Sequence, residues 1–461
     1  MGEKKQNKLD KAGHLRKNKL IIILHLLLQL LLIISWATIG ITQEQAVTID
    51  KAEQNEVIAK ICDILNKNYV YPETAKKMSD YISDKLKKGE YDSLTSATNF
   101  AAQVMEDLRK ISNDKHIGVS YDPKTVKLLR EEKKKHEPET PEKYLKQLRK
   151  NNFGFKEVKI LDGNVGYLDL RQFALTKYAG ETAVGAMNFL AHCDALIIDI
   201  RKNGGGNPDM IQLITSYFYD QEEPIHLNSF YWRDIDKTVQ FWTLPYIPGN
   251  KMADIDIYVL TSRQTFSAAE EFCYNLKNLK RATLIGETTG GGAHPGGPMI
   301  INDSFLIWVP KGRAINPITN TNWEGVGVKP DIEVPQEDAL KTAHLKALEK
   351  LAANAKNEDD KFTYNWYIDS LKIELNPVEV EPAILKSYAG KYGPRAITFE
   401  NGELYYQLEN RPKYKMIPLS KELFVLKGIP SYRIKFIMEK GQVNALMGFY
   451  DNGETVTLFQ K

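Results

Sequence analysis

Along residues 50–111, apolar side chains recur every three or four positions. Val57, Ile58, Ile61, Ile64 and Leu65 fall on one face, which is the period of an amphipathic helix. "EVIAKICDILNKNYVYPE" runs into a Tyr-Pro stop, and "SATNFAAQVMEDLRKI" supplies another such face, so residues 50–122 are expected to form a helical N-terminal domain. Residues 123–150 are rich in Lys and Glu and read as a solvated helical linker of mixed charge. From about residue 155 the period changes. "VGYLDLRQF", "ALIIDIR", "DIYVLTS" and "ATLIG" read as strands, and "YAGETAVGAMNFLAHC" and "PDMIQLITSYFY" as helices between them. That alternation predicts an α/β domain with a largely parallel sheet over residues 151–357. "MIINDSFLIWVP" and "KGRAI" add strands, and residues 337–356 read as a closing helix. After Pro377, short alternating strands are broken by "ENGE", "EKGQ" and "DNGE". Asn-Gly is a hairpin signal, and residues 378–461 are expected to form a small antiparallel β-barrel.

The N-terminus adds a location. Seven Lys/Arg in the first nineteen residues precede an uncharged apolar run over 20–41, long enough to span a bilayer. Residues 1–42 fit a signal peptide cleaved after Ala37 or an uncleaved anchor. Either predicts export to the periplasm or beyond, with membrane association through residues 20–41 in the second case. Overall, 62 Lys and Arg face 59 Asp and Glu, too balanced for a protein whose main partner is nucleic acid. Cys62, Cys193 and Cys273 each sit among apolar residues and read as buried free thiols. No Cys/His cluster has zinc-ligand spacing, so neither a metal nor another cofactor is expected.

Candidate chemistry concentrates at two seams. "ALIIDIRKNGGGNPD" is a buried strand running into Gly204, Gly205 and Gly206, where backbone N–H groups can approach an anion closely; a plain strand-to-helix turn fits as well. No Gly-Lys-Ser/Thr follows for a phosphate loop, and Asp209 breaks a dinucleotide fingerprint. In "VLTSRQTFSAAEEF", Ser267 ends an apolar run and opens a helix. Ser267-Ala-Ala-Glu270 fits a capping box, yet the same position exposes a hydroxyl at the carboxyl edge of a sheet beside a helix N-terminus. The N–H groups of Gly205 and Ala268 would then share the space of a developing oxyanion. A nucleophilic serine needs a base. His14 and His25 fall in the targeting segment and His136 in the charged linker; the candidates among the eight histidines are His116 in "SNDKHIGVSYD", where a helix gives way to a strand, and His294 in the glycine-rich "TTGGGAHPGG".

"IDIRKNGGG", "TFSAAEEF", "GETTGGGAHP" and "WEGVGVKPDIEV" occur in the order seen in the tail-specific, or carboxyl-terminal-processing, protease family. The set most resembles the branch containing tricorn core protease and interphotoreceptor retinoid-binding protein, and covers roughly residues 50–335. The resemblance implies a ClpP/crotonase-like spiral α/β core and a serine peptidase acting on peptides or unstructured protein tails. It maps the nucleophile to Ser267, the base to His116, the orienting carboxylate to Glu324 and the oxyanion donors to Gly205 and Ala268. His294, Gly291 and Gly292 become a substrate loop. Many relatives use a lysine base in a Gly-Lys-Gly motif; here that place reads Gly290-Gly291-Gly292 and the next lysine is Lys311, so histidine-dependent chemistry is implied. The interval between His116 and "VGYLDL" is too short for the PDZ domain those relatives carry. The branch pattern has serine before the histidine, where this chain has Lys115, so the link from Glu324 to the base is expected to differ. The same branch includes a retinoid carrier, which makes a non-catalytic binder of hydrophobic ligands the alternative.

Overall fold

The computed structural model describes residues 47–132, 142–220 and 222–460. The basic tail, the 20–41 run, His14, His25 and His136 lie outside the described residues, within which no helix is long and apolar enough to cross a membrane.

Three helices open the described chain: α1 (Lys51–Asn68), α2 (Pro72–Lys87) and α3 (Ala97–Ser112). Their starts follow the sequence. Asp50 and Ser96 accept capping hydrogen bonds from Glu53 N and Asn99 N, and Pro72 opens α2, where its missing N–H costs nothing. Val57, Ile61, Leu65, Met78, Phe100 and Val104 close on one core. Asn113, in the left-handed region at φ 53, ends α3 and turns the chain toward His116. Strand β1 (Gly118–Tyr121) then leaves the helices and pairs antiparallel with β10 (Phe305–Pro310), itself paired with β9 (Gly296–Ile300). This three-stranded sheet fastens the helical region to the segment carrying His294.

The described parts of residues 123–150 are helical, but not wholly solvated. They contain two helices, α4 (Pro123–Glu132) and α5 (Glu142–Lys150), and Val126, Leu145 and Leu148 are buried. The helical faces are more apolar than the charge count suggested.

The central sheet has the order β12-β8-β7-β4-β3-β2. Strands β3 (Val165–Leu170), β4 (Ala195–Asp199), β7 (Asp256–Thr261), β8 (Ala282–Gly286) and β12 (Ile332–Glu333) run parallel, with β2 (Phe155–Leu161) antiparallel at one edge. Helices α6 (Thr176–Leu190), α7 (Pro208–Ser216) and α8 (Ala268–Asn278) contribute to the core on one face. The other face, with Val165, Ile197 and Leu260, is covered by α9 (Ala339–Asn354) and α10 (Glu358–Leu375). Cover on both faces explains why β4 is buried along its whole length. Elements without an expectation include α10 and the strands β5 (His226–Trp232) and β6 (Lys237–Trp242), which join β11 (Gly312–Ile315) in a separate sheet.

The C-terminal unit begins with α11 (Pro382–Tyr388), followed by strands β13 (Gly390–Tyr392) through β20 (Thr455–Gln460), each paired with the next in a nearly closed antiparallel barrel. Its interior is filled: Tyr388 from α11 stacks on Phe436 at 4.2 Å, and Phe424 packs edge-on against both. Arg433, over the Trp366 ring at 3.9 Å and paired with Asp369 at 3.0 Å, ties the barrel to α10. All three cysteines are free; Cys193 and Cys273 are buried and Cys62 is half-buried.

Candidate active site

The turn after β7 is stitched to the loop after β4. Thr265 Oγ1 donates to Ile200 O (2.9 Å), Ser262 Oγ to Arg201 O (2.6 Å), and Phe266 N to Asn203 O (3.1 Å). Ser267 follows, at φ 56 and ψ −122. A non-glycine residue at such angles costs about 1–3 kcal/mol and persists only where its surroundings enforce it; strained strand-to-helix turns of this kind expose catalytic serines. Glu270 does the enforcing. Its buried carboxylate accepts from Ser267 N (2.9 Å), Thr289 Oγ1 (2.5 Å), Gly291 N (2.6 Å) and Gly292 N (2.8 Å). The carboxylate half of the capping box therefore exists, and it also binds the second glycine-rich segment to the serine turn. Gly291 and Gly292, expected in a substrate loop, spend their N–H groups here. Glu270→Ala leaves four buried donors without an acceptor, so it is expected to cost about 3–5 kcal/mol, read as a lowered urea midpoint at unchanged slope. A midpoint within error of the parent would show the clamp to be dispensable.

The first glycine loop differs from expectation in one position. Gly205 N does not face the serine; it donates to Asn203 Oδ1 at 2.9 Å. What Gly205 provides is room. At φ 110, a Cβ there would lie 2.9 Å from Ser267 Cβ and 3.0 Å from Ala268 N. Gly206 N and Ala268 N donate no hydrogen bond among the described residues, and both residues line a cavity of about 50 Å³ together with Ser267. The amide pair available to an oxyanion is thus Gly206 and Ala268. Three consecutive glycines hid this, because the Asn203 side chain decides which amide is spent.

His116 reaches the same place from the turn after α3. Its ring lies 4.7 Å from that of Phe266, the residue before Ser267, and a Cβ on Gly292 would meet His116 Cε1 at 2.6 Å. Both ring nitrogens are buried without a partner, so no hydrogen bond to Ser267 is formed in this structure. Burial above all pushes the imidazole pKa down to about 4, against the pull of Asp114. The ring is neutral at pH 7, the form that accepts a proton. Lys115, where the branch pattern has serine, donates to Gly290 O (2.6 Å). Lys311 is engaged with Asp234 at 3.4 Å.

Glu324 lies beside both histidines. A nitrogen of His116 and one carboxylate oxygen each from Asp114 and Glu324 fall within 4.8 Å of one another. Glu324 Oε2 accepts from Ala293 N (2.5 Å) and lies 3.4 Å from His294 Nδ1, while Oε1 is buried without a partner. Burial first, and then the neighbouring Asp114 charge, push its pKa up to about 7. His294 is only 4% exposed, so it is no free loop residue: its Nδ1 bonds Asp114 Oδ2 at 2.8 Å. Asp114, which sequence reasoning missed, also accepts from Tyr69 Oη (3.1 Å) and His116 N (2.9 Å).

The segments 293–294 and 323–324 divide two cavities. Ala293 and Trp323 line the small one at Ser267; His294 and Glu324 line another of about 620 Å³ with Tyr71 and Arg313. Glu271, also missed, borders the small cavity and is pushed up to about 8 by complete burial.

Residues 164–334, which contain both glycine loops, Ser267 and Glu324, match peptidase family S41, and residues 42–154 match the N-terminal domain of peptidase S41 in eukaryotic IRBP. The chain belongs to peptidase family S41. The S41 match is the catalytic sheet and its loops; the N-terminal match carries His116. Among curated proteins, carboxy-terminal processing protease CtpB of Bacillus subtilis (strain 168) is 27% identical over 209 residues. That alignment spans 44% of this chain and 41% of CtpB, so the chain matches less than half the length of this S41 relative. Solved structures similar to it include the photosystem II D1 C-terminal processing protease, at TM-score 0.40 and 15% identity, covering 62% of this chain and 94% of that one. The tricorn protease is similar at TM-score 0.38 and 13% identity, covering 69% and 37%. The S41 family is one of serine peptidases.

Proposed function

We propose that this chain is an exported serine peptidase that cleaves peptides or unstructured protein tails. In this reading His116 takes the Ser267 proton as the hydroxyl attacks the scissile carbonyl, then returns it to the leaving amine. Glu324 stabilises the imidazolium, and the N–H groups of Gly206 and Ala268 receive the oxyanion. The observation that carries it is the strained turn at Ser267, held beside two unspent amides and a neutral histidine with both nitrogens free. The His116–Ser267 hydrogen bond forms with substrate present, since such bonds are often long in an empty site. Export rests on the basic tail and the uncharged run over residues 20–41.

One experiment addresses both halves. A membrane-impermeant fluorophosphonate is expected to label the protein on intact cells, and labelling is expected to disappear after preincubation with a competing peptide. Labelling that appears neither on intact cells nor in the released periplasm, but only once the inner membrane is broken, would reject export. No labelling of the purified protein would reject the peptidase and favour a binding protein on the same fold.

A further inference from the structure

We infer that His294 is a positioning residue for Glu324: its Nδ1, hydrogen-bonded to Asp114 Oδ2 (2.8 Å) and 3.4 Å from Glu324 Oε2, holds that carboxylate beside His116. This rests on the peptidase reading above.

The acceptors fix the tautomer. Both oxygens facing Nδ1 belong to carboxylates, so Nδ1 carries the hydrogen. Asp114 accepts two further hydrogen bonds, from Tyr69 Oη and His116 N. Glu324 accepts one hydrogen bond, from Ala293 N, and otherwise has His294 Nδ1 at 3.4 Å. Two carboxylates this close and this buried resist ionising together, and Asp114 raises the pKa of Glu324 while His294 lowers it. The group nearest Glu324 that offsets Asp114 is thus the His294 imidazole. Around it stand Asp114 from the turn after α3, His116 on the same turn, Tyr69 and Tyr71 after α1, Glu324, and Arg313 of β11 across the larger cavity. Tyr71 meets the His294 ring edge-on at 5.3 Å, which fixes the ring plane. Arg313 lies over the Tyr71 ring at 5.7 Å, so its charge is directed to the tyrosine.

The consequence is a pH dependence with a definite sign. Only ionised Glu324 stabilises an imidazolium on His116. Activity is therefore present above the Glu324 pKa of about 7 and lost as pH falls through it. Removing the Nδ1–H donor favours protonated Glu324 and moves that limb to higher pH. Asparagine at 294 can put an N–H where Nδ1 was, whereas glutamine carries its amide one bond further out. In kcat/KM profiles against one peptide, His294→Asn is expected to keep the parent limb. His294→Gln is expected to shift it up by about one pH unit, which reads as a roughly tenfold loss at pH 6 with KM unchanged. Parent-like limbs in both variants, with only thermal stability lowered, would overturn the assignment and leave His294 a structural residue. A rise in KM alone would overturn it in favour of substrate contact. A parent enzyme without activity or labelling would instead count against the peptidase reading itself, so the two failures are distinguishable.

Discussion

Ser267→Ala is expected to abolish peptide hydrolysis while the protein remains folded. The hydroxyls closest to the turn are already engaged, Thr265 Oγ1 with Ile200 O and Thr289 Oγ1 with Glu270. Loss of the nucleophile from a serine–histidine pair typically costs about a millionfold in kcat, which leaves only what the oxyanion site and binding contribute. Stability should change little. The clamp on this turn runs through the Ser267 backbone N–H to Glu270, which alanine retains, and alanine occupies the same backbone angles at similar cost. A loss within about 1–2 kcal/mol is expected. Kinetics and thermal melting on the same preparation test both parts; parent-like turnover would remove Ser267 from the chemistry.

His116→Ala is expected to lower kcat on the order of a thousandfold or more, with a smaller effect on KM. The imidazole lies beside Phe266 and is neutral at pH 7, and its residue is held by Asp114 through the His116 backbone N–H. Neither Lys115 nor Lys311 is placed to take over. Lys115 is spent on the Gly290 carbonyl and Lys311 on Asp234, so Lys311→Ala should be close to neutral in the same assay. A His116→Ala enzyme with near-parent turnover would move the base elsewhere, with His294 the next imidazole in reach of Glu324.

The parts of this molecule legible in the sequence are those whose signal is local. Strands β3, β4, β7 and β8 announce themselves as short apolar runs because both faces of their sheet are covered. Ser267 is visible as a seam because one strand ends and one helix begins within a few residues. Failures came where distant residues decide the outcome. Asp114 and His294 are far apart in sequence and meet only through the β1–β10 pairing, so nothing local marks either as a partner. Gly205 and Gly206 are indistinguishable in the sequence until Asn203 folds back on one of them. Helix α10 alternates charged and aromatic residues without a clean apolar stripe, and its partners lie partly in the barrel through Trp366 and Arg433. The charged linker hid its buried Leu145 and Leu148 for the opposite reason: few apolar residues among many charged ones.

The pairing of β1 with β10 also sets an order in time. A ribosome releases His116 early, but Gly118 has its partner only once Trp308 has been made, and Glu324 follows later still. Synthesis at about 5–20 residues per second therefore leaves the emerging chain with a base that has no seat and, after Ser267, a nucleophile without its base. On the function proposed above, the site is complete only when most of the polypeptide has been produced, so an unfinished chain holds no assembled hydrolytic centre.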